Sequence, residues 1–207
     1  MKWVFLGPPG AGKGTQAKRV AAEFDVAHVS TGDLLRSEVA AKSELGKAAE
    51  SFMTGGGLVP DDLVIAMVAQ KLDDLNAYLL DGFPRTLPQA QALLERVGDG
   101  AIDRVFSFEL PDDEVLRRLG GRRTCRDCGT MYHVDFVPPQ VEGKCDRCGG
   151  ERFRRDDDGA DAIRRRIDVF KSEAGPLIDF YGADVVTVDA SRSPDEVFAE
   201  VRSYAQG

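Results

Sequence analysis

Two rhythms of hydrophobic and polar positions follow one another repeatedly along this chain. Lys2–Leu6 is a short apolar run of strand type. After a Gly/Pro turn, Lys13–Phe24 places Ala17, Val20, Ala21 and Phe24 at helical spacing. The same succession returns at 77–80 with a helix over Leu87–Val97, and at 104–110 with a helix starting near Pro111. It returns again at 185–188, where the next helix has a marked start: Ser193 as N-cap, Pro194 in the first turn and Glu196 closing a capping box. Strands alternating with helices pair in parallel through right-handed crossovers, so the pattern predicts an α/β three-layer sandwich. Trp3 reads as strand packing, and His28, following a short apolar strand, as a packing or surface residue.

Two stretches break the rhythm. Residues 30–59 hold two helical patterns and the run Gly55-Gly56-Gly57, without a strand. Residues from about 122 to 157 hold every cysteine, two prolines and short β-like pieces such as 131–136. Both read as insertions, which gives a core of 1–29, 60–121 and 158–207, a helical insertion of 30–59 and a second insertion of 122–157.

Composition narrows the class. The 207 residues allow one sizeable core with small insertions. A net charge of −8 speaks against general affinity for nucleic acid or anionic membranes. No apolar stretch reaches the roughly 20 residues a membrane span needs. The N-terminal apolar run stops after four residues at Gly7-Pro8-Pro9-Gly10, too short for an export signal, so a cytoplasmic location is expected. Nothing marks an interface, and a monomer is the default.

Candidate chemistry begins at residues 7–15, Gly-Pro-Pro-Gly-Ala-Gly-Lys-Gly-Thr, which fit G-x-x-x-x-G-K between a strand and a helix. The glycines let consecutive N–H groups turn inward around phosphate oxygens, and the helix N-terminus adds the positive end of its dipole. Gly10, Ala11, Gly12, Lys13, Gly14 and Thr15 are therefore candidate triphosphate binders, with the Lys13 ammonium on the β- and γ-phosphates. Gly14 stands where a hydroxyl residue is usual, so Mg²⁺ is expected to bind through water. The loop alone leaves GTPases, ATPases, recombinases and kinases open.

Cys125-x₂-Cys128 and Cys145-x₂-Cys148, with 16 residues between the pairs, have the spacing of a four-thiolate zinc ribbon. Gly129 and Gly149 follow each pair and permit the turn. Four protein ligands leave no open position, so the metal is structural. Iron or cobalt would also suit four thiolates.

Residues 7–15, Ser30-Thr31-Gly32-Asp33 with Arg36, and Asp81-Gly82-Phe83-Pro84-Arg85 with Gln89 together resemble the adenylate kinase family over essentially the whole chain. The zinc-ribbon spacing matches the bacterial type with a long lid. The resemblance implies a P-loop nucleoside monophosphate kinase fold, a parallel sheet core with an AMP-binding helical insertion and a zinc-bearing lid. It implies reversible transfer from MgATP to AMP, giving two ADP, with Mg²⁺ and structural Zn²⁺ as cofactors. On the AMP side it implies Thr31, Arg36, Gly57, Leu58, Val59, Gly82, Phe83, Pro84, Arg85 and Gln89. Asp81 resembles the acid that orients Mg²⁺ and its waters.

Arg118 and Arg122 match arginines on the helix leading into the lid, and Arg155 and Arg166 match the pair closing from the other side. The resemblance also implies that Tyr132, with Met131 and Ser191, binds ATP. Arg123, Arg154, Arg164 and Arg165 read as surface or lid–core ion pairs, and His133 as structural. Competing readings are a related kinase taking UMP or CMP as acceptor, which usually has a short lid, or GTP as donor, which the sequence leaves open. Another is a zinc-ribbon nucleic-acid-binding or protein-interaction module with ATP as a switch, which the acidic composition disfavours.

Overall fold

The computed structural model describes residues 1–98 and 102–205. Five strands, β1 (Lys2–Leu6), β2 (Ala27–Ser30), β3 (Tyr78–Asp81), β4 (Arg104–Glu109) and β8 (Val185–Asp189), form one parallel sheet in the order β2-β3-β1-β4-β8. Helices cover both faces, which is why the central strands are apolar on both sides rather than alternating. On one face Trp3, Phe5, Phe106 and Phe108 pack against α1 (Lys13–Phe24), α6 (Asp112–Gly120) and α8 (Pro194–Ser203). On the other, Val4, Leu6, Val29 and Leu80 meet α4 (Asp61–Leu72), α5 (Leu87–Val97) and a hairpin of α2 (Thr31–Ala41) and α3 (Glu44–Thr54).

The last long helix, α7 (Ala160–Tyr181), belongs to both faces. Ile163 and Ile167 join the first cluster, while Leu177 and Tyr181 join the second. Three short strands stand apart as an antiparallel sheet of order β6-β5-β7: β5 (Arg122–Cys125), β6 (Met131–His133) and β7 (Arg152–Phe153).

The expected three-layer α/β fold is present, and the capping box at Ser193 and Glu196 has both of its hydrogen bonds. The third strand runs one residue later than the apolar pattern placed it, because Asp81 still pairs with Phe5 and Ser30. His28 lies inside β2 rather than after it. Arg122 sits on β5 rather than on the helix before it, since Gly120 and Gly121 end α6. The strand predicted within 131–136 stops at His133, where the imidazole Nδ1 accepts the backbone N–H groups of Asp135 and Phe136 and turns the chain.

The pattern of polar and apolar residues also passed over α4 and α7. In α4, apolar residues surround the helix and leave no clean period, and α7 carries Pro176 within it.

Phe106 is fully buried, with ring centroids 5.0 Å from Trp3 and 5.4 Å from Phe5. Phe106→Ala is expected to destabilise the protein by about 3–5 kcal/mol, read from the denaturant midpoint. A loss below about 1 kcal/mol would show that this aromatic cluster is not the centre of the core.

Candidate active site

The register of the parallel strands brings three loops to one place. Phe5 on β1 pairs with Asp81 on β3, and Asp81 with Ser30 on β2. The chain therefore leaves all three strands at the same carboxyl edge, where ligands of open α/β sheets bind.

The loop after β1 needs its glycines for identifiable reasons. A Cβ on Gly7 would lie 2.6 Å from the Phe108 carbonyl oxygen of the neighbouring strand, so only glycine fits. Gly12, at φ 85°, is the N-cap of α1 and offers no side-chain acceptor to the first helical N–H groups. That helix end faces the cavity as a donor surface. Lys13 reaches back along the loop, donating from Nζ to the Gly7 and Pro8 carbonyl oxygens, both at 2.7 Å. Enclosure in the site, reinforced by the charges of Arg85, Arg166 and Arg122 and opposed by Asp81, lowers its pKa to about 8.

A cavity of about 590 Å³ opens over this edge. It is lined by the loop residues Gly10, Ala11, Gly12, Lys13, Gly14 and Thr15, by Asp81, Gly82, Pro84 and Arg85, and by Arg36, Gly57 and Leu58. Arg118, Arg122, Met131, Tyr132, Arg155, Arg166 and Ser191 close its other side. A smaller cavity of about 70 Å³ adjoins it, sharing Arg36, Gly57, Leu58, Gly82, Arg85 and Arg166. Thr31, Val59 and Gln89 line only this second space. Among the expected site residues, Phe83 lines neither: its ring is buried among Val64, Leu80 and Ala90 of the second cluster.

The cationic side chains are held by specific acceptors. Arg122 donates from Nε to Asp158 Oδ2 at 2.8 Å, and that carboxylate is fully buried. Arg166 lies 3.0 Å from Asp157 Oδ2 and 3.4 Å from Asp158 Oδ1. Arg155 donates to Thr124 Oγ1 at 3.0 Å, and Arg118 to Glu114 at 2.8 Å. Arg36 pairs with Asp33, while Arg85 donates from Nε to the Gly82 carbonyl at 2.8 Å. Burial and neighbouring guanidinium groups lower Arg155 and Arg166 to about 10, and both stay charged at neutral pH.

Of the four arginines assigned to surface or lid–core pairs, Arg164 faces Asp161. Arg123 and Arg154 instead donate to carbonyl oxygens, of Gly120 and Arg122 for the first and of Asp158 for the second.

Several residues to which sequence reasoning gave no site role support this arrangement. His28, read from the sequence as a packing or surface residue, places Nε2 3.3 Å from Asp81 Oδ2 and so neighbours the site. Asp157 and Asp158 anchor the arginines, and Asp61 holds Gln89. The acidic run 156–158 directly before an arginine-rich segment was the available signal for the first two.

In the small antiparallel sheet, the Sγ atoms of Cys125, Cys128, Cys145 and Cys148 all lie within 4.8 Å of one another. The Cys125–Cys148 and Cys128–Cys145 separations are both 3.5 Å. A tetrahedral zinc at about 2.3 Å from each sulfur spaces its ligands by about 3.8 Å, so the cluster fits that ion. Gly129 and Gly149 have φ of 67° and 75°, and each donates its N–H to the carbonyl of the first cysteine of its pair, forming two matching knuckles. The Tyr132 hydroxyl donates to Cys145 Sγ at 3.3 Å and accepts from the Asp146 N–H at 2.7 Å. Its ring thus supports the cysteine cluster as well as bordering the large cavity.

Comparison with known proteins agrees with this geometry. The family model described as adenylate kinase matches residues 5–186. An adenylate kinase of Carboxydothermus hydrogenoformans is 45% identical, covering 100% of both chains. One from Syntrophotalea carbinolica is 48% identical over 94% of this chain and 93% of its own. One from Archaeoglobus fulgidus is 46% identical over 100% of this chain and 98% of its own. With a phosphate loop, a converging set of arginines and full-length identity of this order, the chain belongs to the adenylate kinase family.

Proposed function

We propose that the two adjoining cavities are the two ends of one reaction site, with ATP over the phosphate loop and AMP between the α2–α3 hairpin and the turn after β3. The chain is an ATP:AMP phosphotransferase, catalysing MgATP + AMP ⇌ MgADP + ADP. The observation that carries the residue-level reading is the convergence of Lys13, Arg36, Arg85, Arg122, Arg155 and Arg166 on one cavity. Phosphoryl transfer asks the protein for alignment and neutralisation of charge rather than covalent chemistry.

In this reading Lys13 exchanges the Gly7 and Pro8 carbonyls for the β- and γ-phosphates. Arg36 and Arg85 fork onto the AMP phosphate, which a planar guanidinium does better than an ammonium. Thr31, the backbone of residues 57–59, Gly82, Pro84 and Gln89 hold the rest of AMP. Arg118, Arg122, Arg155 and Arg166 turn from their protein partners to the transferred group, replacing one charge-assisted bond by another. Met131, Tyr132 and Ser191 border the ATP adenosine. Asp81 and Thr15 would hold Mg²⁺ through water, and the ion would supply neutralising positive charge to the phosphates.

Residues 30–59 act as the AMP-closing element and 122–157 as the ATP lid, around a core of 1–29, 60–121 and 158–207. These ranges also take in residues 99–101 and 206–207, which lie outside the described ones. Closure excludes water from the transferring phosphoryl. The four cysteines would hold a structural zinc, cross-linking a segment whose buried cluster is little more than Cys125, Tyr132 and Cys145. The enzyme works as a cytoplasmic monomer, without nucleic-acid or membrane partners. The net charge of −8 supports the lack of nucleic-acid partners; no described helix is long and apolar enough to cross a membrane.

Lys13→Ala is expected to lower kcat at least about a hundredfold. Arg85→Ala is expected to raise KM for AMP about tenfold or more while changing KM for ATP less. Equal effects on both substrates in both variants would refute the assignments.

Lys13 is mostly charged below about pH 8 and mostly neutral above it. The kcat/KM for ATP, which reports free-enzyme groups, is therefore expected to hold through neutral pH and fall beyond about pH 8. A flat profile from pH 7 to 10 contradicts the lowered pKa. Stripping the metal with a chelator is expected to lower the melting temperature while nucleotide still binds at the phosphate loop. Unaltered melting of protein verified as metal-free speaks against a structural ion.

A further inference from the structure

Gln89 is a polar side chain only 1% exposed, on the wall of the smaller cavity. Its carboxamide is held from both ends. Oε1 accepts the backbone N–H of Arg85 at 2.8 Å, and Nε2 donates to Asp61 Oδ1 at 2.7 Å. Asp61, the first residue of α4, is oriented in turn by Thr86, whose Oγ1 donates to Oδ2 at 2.9 Å. A backbone N–H only donates and a carboxylate only accepts, so these neighbours admit one orientation of the amide. The oxygen faces Arg85 and the nitrogen faces Asp61. One Nε2 hydrogen and one Oε1 lone pair are left over.

We infer that Asp61 is the positioning residue that, together with the Arg85 N–H, fixes which way round Gln89 presents this remaining donor and acceptor, and that it thereby selects a 6-aminopurine monophosphate over a 6-oxopurine. The inference rests on the reading that Gln89 faces the base of the acceptor nucleotide. Adenine offers an acceptor at N1 beside a donor at its amino group. Hypoxanthine reverses both, with a donor at N1 beside a carbonyl acceptor. A carboxamide free to turn over serves either base, because its two ends exchange roles. A locked one rejects the base that leaves buried polar groups facing like groups. Asp61 does not line either cavity and acts only through Gln89.

Asp61→Asn keeps the shape and removes the polarity, since the new amide can offer Gln89 either an acceptor or a donor. The measurement is kcat/KM for AMP divided by kcat/KM for inosine monophosphate, both taken with MgATP on one preparation. Any misfolded fraction cancels from that ratio.

Loss of one charge-assisted lock is expected to reduce the ratio about tenfold, with the change carried by KM. General loosening of the site would raise both KM values together and leave the ratio where it was. Gln89→Leu separates the two layers of the argument. A ratio that collapses in Gln89→Leu but holds in Asp61→Asn overturns the role of Asp61 while keeping Gln89 at the base. A ratio untouched in Gln89→Leu removes Gln89 from the base, and the inference falls with it.

Discussion

Positive charge crowded at one edge of a parallel sheet is the constraint on which the rest of this structure depends. The chain carries 35 acidic against 27 basic residues, yet an ammonium and several guanidinium groups converge on a single cavity. Such a cluster repels itself, and enclosure makes it worse: Lys13 is lowered to about 8. The surrounding architecture meets that cost with carboxylates set against the cations, Asp158 buried behind the site and Asp157 and Glu114 on its walls. Asp158 is fully buried beneath Arg122 and Arg166, and Asp157 stands beside Arg166. Burial alone would raise Asp157, but Arg166 and its neighbours hold it below the usual carboxylate range. Glu114 does the same for Arg118. An anion entering the site takes up part of the charge these groups otherwise balance among themselves.

Much of this was legible in the sequence because it is written in short, contiguous signals. The phosphate loop needs a strand, glycines and a lysine within a dozen residues, and Gly7 and Gly12 occupy the positions where backbone contact or a positive φ excludes other residues. The cysteine knuckles are equally local, each closed by a glycine just past its second thiol. What escaped is what depends on residues distant along the chain. His28 beside Asp81 is separated from it by 53 positions, and Arg122 from Asp158 by 36. No periodicity records such pairs; they exist only because parallel strands end together and α7 returns past them. Helix α4 was missed for another reason. Apolar residues all round a helix erase the very asymmetry by which amphipathic helices are found.

The small antiparallel sheet solves a different problem. With three buried residues in its cluster it falls far short of the burial that stabilises an independent unit. Cross-strand pairing of β5 with β6 and β7 supplies backbone hydrogen bonds, and the gathered thiols supply a place for a cross-link. The aromatic group that borders the nucleotide cavity, Tyr132, is also the one bonded to a cysteine sulfur. Order in the thiol cluster and order at the cavity wall are therefore one property, because a single phenol belongs to both.

Helix α7 extends this economy to the whole molecule. Its 22 residues span about 33 Å, enough to pass from one face of the sheet to the other. The early turns carry Arg166 to the cavity and Ile163 and Ile167 to one apolar cluster; the late turns wedge Leu177 and Tyr181 into the opposite one. A strut fastened at both ends cannot release one side of the sheet while the other stays packed. The two half-cores thus share one helix, and a change that displaces α7 as a body reaches the packing on both faces of the sheet.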